Sequence, residues 1–377
     1  MGLRGKNVMP SRVAICYRAE LKEYDFGAGH SFRGRRFPRF YQFMTERLLA
    51  EQYELIAADF ATDVDLLRIC SPEYIEFTRA FYRAAHDDLG YDGRFYEYHS
   101  ADNLPRGSPG RLEEAARLIV GQAKRAADLV LSGTFEKAIS IGGGLHHAKR
   151  SFGEGFCLYN DVAFVATYLL EAYGLERILI VDTDAHAGNG TAEYFYHDPR
   201  VLFIDLHQDP RTIYPGTGFI SQIGSGDGEG YTVNVPLPLY AGYESYQRVF
   251  AELVEPLAAE FKPQVVVRNG GSDPYFNDQL TQLGLPLGGF SMIGTRIRAI
   301  AELCGGKELD LIASGYNERI LPFAWLALIA GIAGLELVIE EPEPVPELYR
   351  TDGAVHATEQ VVRAVKAELQ AYWRCFQ

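Results

Sequence analysis

Residues 178 to 186, ILIVDTDAH, constrain the fold more than any other stretch of this chain. Ile178, Leu179, Ile180 and Val181 form an apolar run of the kind a parallel sheet buries on both faces. Asp182, Asp184 and His186 follow at alternate positions, and in extended chain alternate side chains share one face. A core strand thus ends by aiming two carboxylates and an imidazole at one spot. Other apolar runs end the same way: KAISI near 139 leads into GGGLHH, VLFI near 203 into DLH, QVVVR near 266 into NGGSD, and DLIA near 312 into SGY. Open parallel sheets place their ligands at the C-terminal ends of strands, so five strand ends point chemistry at one rim.

Further strands are expected at RVAIC near 14 and LELVI near 337. Between the strands lie helical patterns such as 111–133, apolar at spacings of three and four and ending at Gly133. The alternation predicts an α/β chain. No repeat, low-complexity tract or linker interrupts it, so residues 1–377 read as one domain, with long loops at 20–40, 85–110 and 205–230.

Composition removes several classes. Hydrophobic residues make up 47% of the chain, enough for a sizeable core. The formal net charge of −14, with no long basic run, argues against nucleic acid as a partner. Five scattered cysteines without a CxxC pair predict reduced thiols in a cytoplasmic protein. The N-terminus shows no secretory signal, and Lys6 stands where a myristoylation pattern needs Ser or Thr. The most apolar stretch, LPFAWLALIAGIAGL, falls short of the ~20 residues that span a bilayer and predicts a buried helix. Arg33, Arg35, Arg36 and Arg39 form a basic cluster that suits either steering of an anionic partner or a solvated loop face.

Asp184, His186 and Asp273 are the candidate metal ligands. Two carboxylates and one imidazole without a fourth protein ligand suit a catalytic zinc with open positions. An isolated DxH is more often a helix cap beside an ordinary histidine; Asp273, behind a glycine pair at another strand end, shifts the balance to metal. His146 and His147 follow glycines that permit close backbone approach, and two adjacent imidazoles suit general base and acid. Asp182 is placed to orient one of them. Tyr316, flanked by Gly315, offers a mobile hydroxyl for an oxyanion. Phe156 in GEGFCLYND and Tyr214 in YPGTG sit beside glycine turns and could wall a narrow tunnel.

Together GGGLHHAKRSFGEGFCLYND, VDTDAHAGNG, YPGTG, GGSD and SGYN resemble, in order and spacing, the zinc-dependent histone deacetylase family with its bacterial acetoin-utilisation and acetylpolyamine relatives. The resemblance covers roughly residues 15 to 330. It implies the arginase/deacetylase fold, a mostly parallel eight-stranded sheet flanked by helices. It assigns Asp184, His186 and Asp273 to zinc, His146 and His147 to the catalytic pair, and Tyr316 to the oxyanion. Asp182 matches the carboxylate behind the first histidine, which in relatives also helps hold a structural potassium ion. Gly155, Phe156 and Tyr214 match the substrate tunnel, Asp102 the rim aspartate that grips substrate backbone, and Arg36 a basic residue at the tunnel foot. The implied reaction is hydrolysis of an acetylated amine (acetyl-lysine, acetylpolyamine or a small metabolite) to acetate and free amine, with His147 as base.

Three positions depart from the family pattern. Ala187 follows His186 where many members carry a second histidine, Asn189 stands where some carry an aspartate behind the second catalytic histidine, and SGY replaces a longer glycine run. Two rival readings fit the sequence less well. A manganese ureohydrolase on the same fold needs further carboxylates, but Gly188 stands where one would fall, and Asp273 is followed by Pro274 without a paired DxD. A non-catalytic reader of acylated ligands has no need of His146, His147 and Tyr316.

Overall fold

Eight strands join in one all-parallel sheet in a computed structural model that describes residues 12–89 and 92–377. The strands are β1 (Val13–Cys16), β2 (Tyr53–Ile56), β3 (Lys137–Ile141), β4 (Ile178–Asp182), β5 (Val201–Gln208), β6 (Thr232–Leu237), β7 (Val265–Asn269) and β8 (Glu308–Ile312). Their order across the sheet is β2-β1-β3-β8-β7-β4-β5-β6. Every residue of β3, β4, β5, β7 and β8 is buried, because helices cover both faces; this is why these strands are rich in apolar residues, and why the charged residues inside them are paired, Arg268 with Asp310 and Lys137 with Glu308. The N-terminal segment 1–11, including Lys6, lies outside the described residues.

The order of the sheet gathers the chemistry. β3, β8, β7 and β4 are consecutive neighbours, although their residues come from 137 to 312 in sequence. Register then aligns their C-terminal ends, with Ile141 opposite Ile312, Asn269 opposite Leu311 and Asp182 opposite Asn269. The polar segments that follow are therefore side by side.

Some sequence expectations need correction. Leu335–Ile339 is not a strand: the buried helix Leu321–Ala333 closes on Gly334 at φ 67°, and Val338 beyond it is 91% exposed. Both sheet edges are already occupied by β2 and β6, and Pro342, Pro344 and Pro346 remove backbone donors just downstream. Those edge strands were not expected, since Glu54, Asn234 and Pro236 break their apolar pattern. An edge strand tolerates such breaks, including proline. β5 runs to Gln208, so Asp205 and His207 lie within the strand rather than in a loop beyond it. The helix Leu112–Leu131 forms as expected and is followed by Gly133 at φ 74°. Among the described residues no helix is long and apolar enough to cross a membrane.

Candidate active site

Asp184 and His186 lie on the turn after β4, and Asp273 on the turn after the adjacent β7. All three are buried, with ligand atoms within 4.8 Å of one another, the single group of metal-binding spacing among the described residues. His186 Nδ1 is 3.1 Å from Asp184 Oδ1 and 3.1 Å from Asp273 Oδ2. The turn is locked by the His186 N–H donating to Asp184 Oδ1 (2.9 Å) and the Asp184 N–H to Asp182 Oδ1 (3.0 Å). The Ser314 hydroxyl donates to the second oxygen of Asp273 at 2.8 Å.

Two carboxylates held together in a buried pocket repel each other. Burial, followed by the charge of Asp184, pushes Asp273 up to about 8. Asp184 falls well below the usual carboxylate range, because His146 and His186 outweigh its burial. Histidines are the ion-pair partners of both among the described residues. This donor set fits a divalent cation of zinc type, which would neutralise the pair and leave coordination positions open.

His146 and His147 follow β3. His146 Nδ1 faces Asp182 Oδ2 at 2.8 Å, and its Nε2 is 3.1 Å from His147 Nε2. Burial disfavours charge on His146, but Asp182 and Asp184 prevail and hold it up at about 9. His147 goes the opposite way: burial, then the charges of His146 and His186, take it well below its ordinary value. Neighbouring imidazoles are thus divided into a proton carrier and a neutral lone-pair bearer. Asp182 also accepts from Asn269 Nδ2 at 2.8 Å, so its carboxylate is fixed from two strands.

Tyr316 lies across the same cavity, edge-on to His186 with ring centres 6.4 Å apart. Burial, reinforced by Asp184 and Asp273, raises its phenol well above the ordinary value, so the hydroxyl keeps its proton and can donate. The loop is short but anchored. Asp278 Oδ2 accepts the backbone N–H of Tyr316 (2.7 Å) and of Asn317 (3.2 Å). Arg36, 1% exposed, donates from Nη1 to the carbonyls of Ala313 (3.1 Å) and Gly315 (3.0 Å). Trp325 Nε1 donates to the Ser314 carbonyl at 3.0 Å. The expected mobile hydroxyl therefore hangs from a pinned backbone.

The arginine cluster divides: Arg35 and Arg39 are exposed, as a solvated face would have them, whereas Arg33 is half-buried and Arg36 fully buried. Arg33 pairs with Asp25, Arg35 and Arg39 both grip Glu318 two residues past Tyr316, and Arg36 is buried beneath the tyrosine loop.

At the rim, Phe156 takes φ 65°, a left-handed conformation that is uncommon for a bulky residue and costs energy. The Tyr24 hydroxyl holds its carbonyl at 2.6 Å. Phe156 packs on Tyr316, and Tyr214 stands edge-on to His147 with ring centres 5.1 Å apart. Asp102 Oδ2 accepts the Gly155 N–H at 2.9 Å, and its other oxygen meets the Ser100 hydroxyl. Gly155, expected as a substrate contact, also makes room for His147: a Cβ there would lie 2.2 Å from His147 Cδ2, on a backbone at φ 61°. Gly155→Ala is expected to displace the imidazole and lower kcat on the order of 10²-fold, as for a small misplacement of a reacting group. Steady-state assays with zinc content measured in parallel will show it.

Three contributors escaped the sequence reading. His30 stacks on Phe26 and donates from Nε2 to the Asp102 carbonyl (2.9 Å); Asp278 anchors the tyrosine loop; Glu154 bonds Asn189. Each acts from a loop through a contact distant in sequence, although Glu154 sat inside a motif already singled out.

The histone deacetylase domain profile matches residues 30–332, most of the chain and all the residues just described except Tyr24 and the loop before His30. The chain belongs to the histone deacetylase family. A probable deacetylase of Archaeoglobus fulgidus is 36% identical over 374 residues, covering 97% of this chain and 99% of the relative. The acetoin utilization protein AcuC of Staphylococcus xylosus is 32% identical over 355 residues, covering 93% and 89%. AcuC of Staphylococcus aureus strain COL is 33% identical over 318 residues, covering 84% and 80%. In this deacetylase-family chain the Ala187 position is flanked by another imidazole, since Ala187 and His207 both abut Gly218. His207 Nε2 bonds the Gly218 carbonyl at 2.9 Å. At the second departure, Asn189 Oδ1 faces His147 Nδ1 at 2.7 Å, occupying the place behind that histidine.

Proposed function

We propose that this deacetylase hydrolyses an acetylated amine to acetate and free amine, with one zinc ion held by Asp184, His186 and Asp273, and that residues 1–377 act as a single catalytic domain. The observation that carries the reading is the buried Asp–His–Asp trio beside a histidine pair of divided protonation. Zinc bound there supplies Lewis acidity toward the amide carbonyl and acidifies water.

The chain's own groups then divide the work. Neutral His147 takes a proton from the attacking water, and Tyr316 donates to the oxygen that becomes negative. His146, kept protonated by Asp182, delivers a proton to the departing amine. Arg36 holds Tyr316 in place through the Gly315 carbonyl. Phe156 and Tyr214 exclude water from a narrow acyl-amine, and Asp102 presents its carboxylate at the rim to substrate N–H groups. Five free thiols suit a reducing compartment, so the activity belongs in the cytoplasm.

A one-metal hydrolase is favoured over a two-metal ureohydrolase. Gly188 supplies only a backbone N–H, donated to Asp205 Oδ2 at 2.8 Å, where a bridging carboxylate would be needed. The test is turnover of a panel (acetyl-lysine peptides, acetylated polyamines, small N-acetyl amines and arginine) by zinc-loaded and manganese-loaded protein. Acetate release with zinc supports the proposal. Urea release with manganese, or no turnover of any acetylated amine, overturns it.

A further inference from the structure

Asn189 behind His147 poses a problem that an aspartate would not. A carboxylate offers only acceptors, whereas a carboxamide can turn either its oxygen or its NH₂ toward the imidazole. With the oxygen forward, His147 carries its proton on Nδ1 and leaves Nε2 free to act as a base. With the NH₂ forward, Nδ1 must be the bare nitrogen and the proton moves to Nε2, where it blocks proton abstraction.

The geometry points to Glu154 as the positioning residue that holds Asn189 in the first of these states, working with His146, whose Nε2 faces His147 Nε2 at 3.1 Å. Its Oε1 lies 2.7 Å from Asn189 Nδ2, on the side of the amide away from His147. An ionised carboxylate cannot donate, so the Asn189 end facing it must be the NH₂ and the end facing His147, at 2.7 Å from Nδ1, must be the carbonyl. Lys149 Nζ stands 3.1 Å from the same Oε1 and pairs with it. The Glu154 side chain is only 15% exposed, which limits competition from water for its acceptor. A two-part device, Asn189 plus Glu154, thereby sets the same tautomer that a single aspartate would set directly. The inference rests on the reading of His147 as the base, and it adds a residue that acts on that base through Asn189.

The device predicts an epistatic pattern that a merely structural role would not give. Glu154→Ala frees the amide to turn and is expected to lower kcat on the order of tenfold, with KM and zinc content little changed. Glu154→Gln keeps an oxygen able to accept from Asn189 and is expected to lose less. Asn189→Asp alone sets two carboxylates facing each other and is expected to be impaired. In the Glu154→Ala background the same Asn189→Asp change is expected to restore activity, because an aspartate cannot present a donor and no longer meets a like charge. Nitrogen-15 shifts of the His147 ring read the tautomer without turnover: protonated Nδ1 in the wild type, and a shift toward protonated Nε2 in Glu154→Ala. Losses that simply multiply in the double variant, or an unchanged tautomer in Glu154→Ala, overturn the inference. A wild-type protein that turns over no acetylated amine would overturn the reading of function instead, while the ring shifts would still report on the lock.

Discussion

Tyr316→Phe is expected to lower kcat on the order of 10²–10³-fold, the usual consequence of losing one oxyanion donor, while zinc content stays at wild-type level. The change removes a hydroxyl and keeps the ring, so the edge contacts with Phe156 and His186 survive. The backbone anchors from Asp278 and Arg36 do not involve the side chain and remain as well. Burial and the nearby carboxylates keep this phenol protonated, so its contribution is that of a donor across the ordinary assay range. His147→Ala is expected to cost a comparable or larger factor by removing the base. Rates at saturating substrate, with metal analysis on the same samples, check both. Two variants as active as the wild type would place the handling of the tetrahedral intermediate elsewhere.

The site was more legible in the sequence than the fold around it. Burial on both faces makes β3, β4, β7 and β8 largely apolar, and the turns after their C-terminal ends gather glycines with carboxylates, imidazoles and a phenol. Asp182, Asp184 and His186 could therefore be read as one cluster from local spacing. That Asp273 and Tyr316 join them depends on β8 and β7 lying between β3 and β4, which no local pattern encodes. The edge strands β2 and β6 were invisible because half-buried strands carry polar residues and proline. Leu335–Ile339 misled for the converse reason: it has strand composition, but it follows directly on the helix end at Gly334 and pairs with no strand of the sheet. Supporting residues were hardest of all. Arg36 was placed only by resemblance, and its exposed neighbours Arg35 and Arg39 gave no sign in sequence of their shared partner Glu318. Glu154 and Asp278 act through a single oxygen at a distance set by tertiary structure.

Asp184→Ala or Asp273→Ala is expected to abolish both zinc binding and turnover, since each removes one of the three ligands proposed for about one zinc ion per chain. Stoichiometric zinc in either purified variant would overturn the ligand assignment, whereas activity with iron or cobalt would not, because this nitrogen and oxygen donor set accepts several divalent metals. The same carboxylates give a stability signature. Asp273 in the folded metal-free protein titrates at about 8, well above its unfolded value, with burial and then Asp184 as the causes. Its contribution to stability is therefore favourable below the unfolded pKa and is lost as pH rises toward about 8. Chelated wild-type protein is accordingly expected to lose thermal stability as pH rises from 5 to 8. Zinc should restore it, because a ligand that binds only the native state stabilises that state. Asp273→Asn removes the ionisation while keeping the size of the side chain. Its melting temperature, measured by calorimetry, is expected to show a flatter dependence on pH and no response to zinc. A variant that keeps the wild-type slope would mean that the alkaline loss arises from another buried acid, and that the repulsion between Asp184 and Asp273 is relieved without a cation.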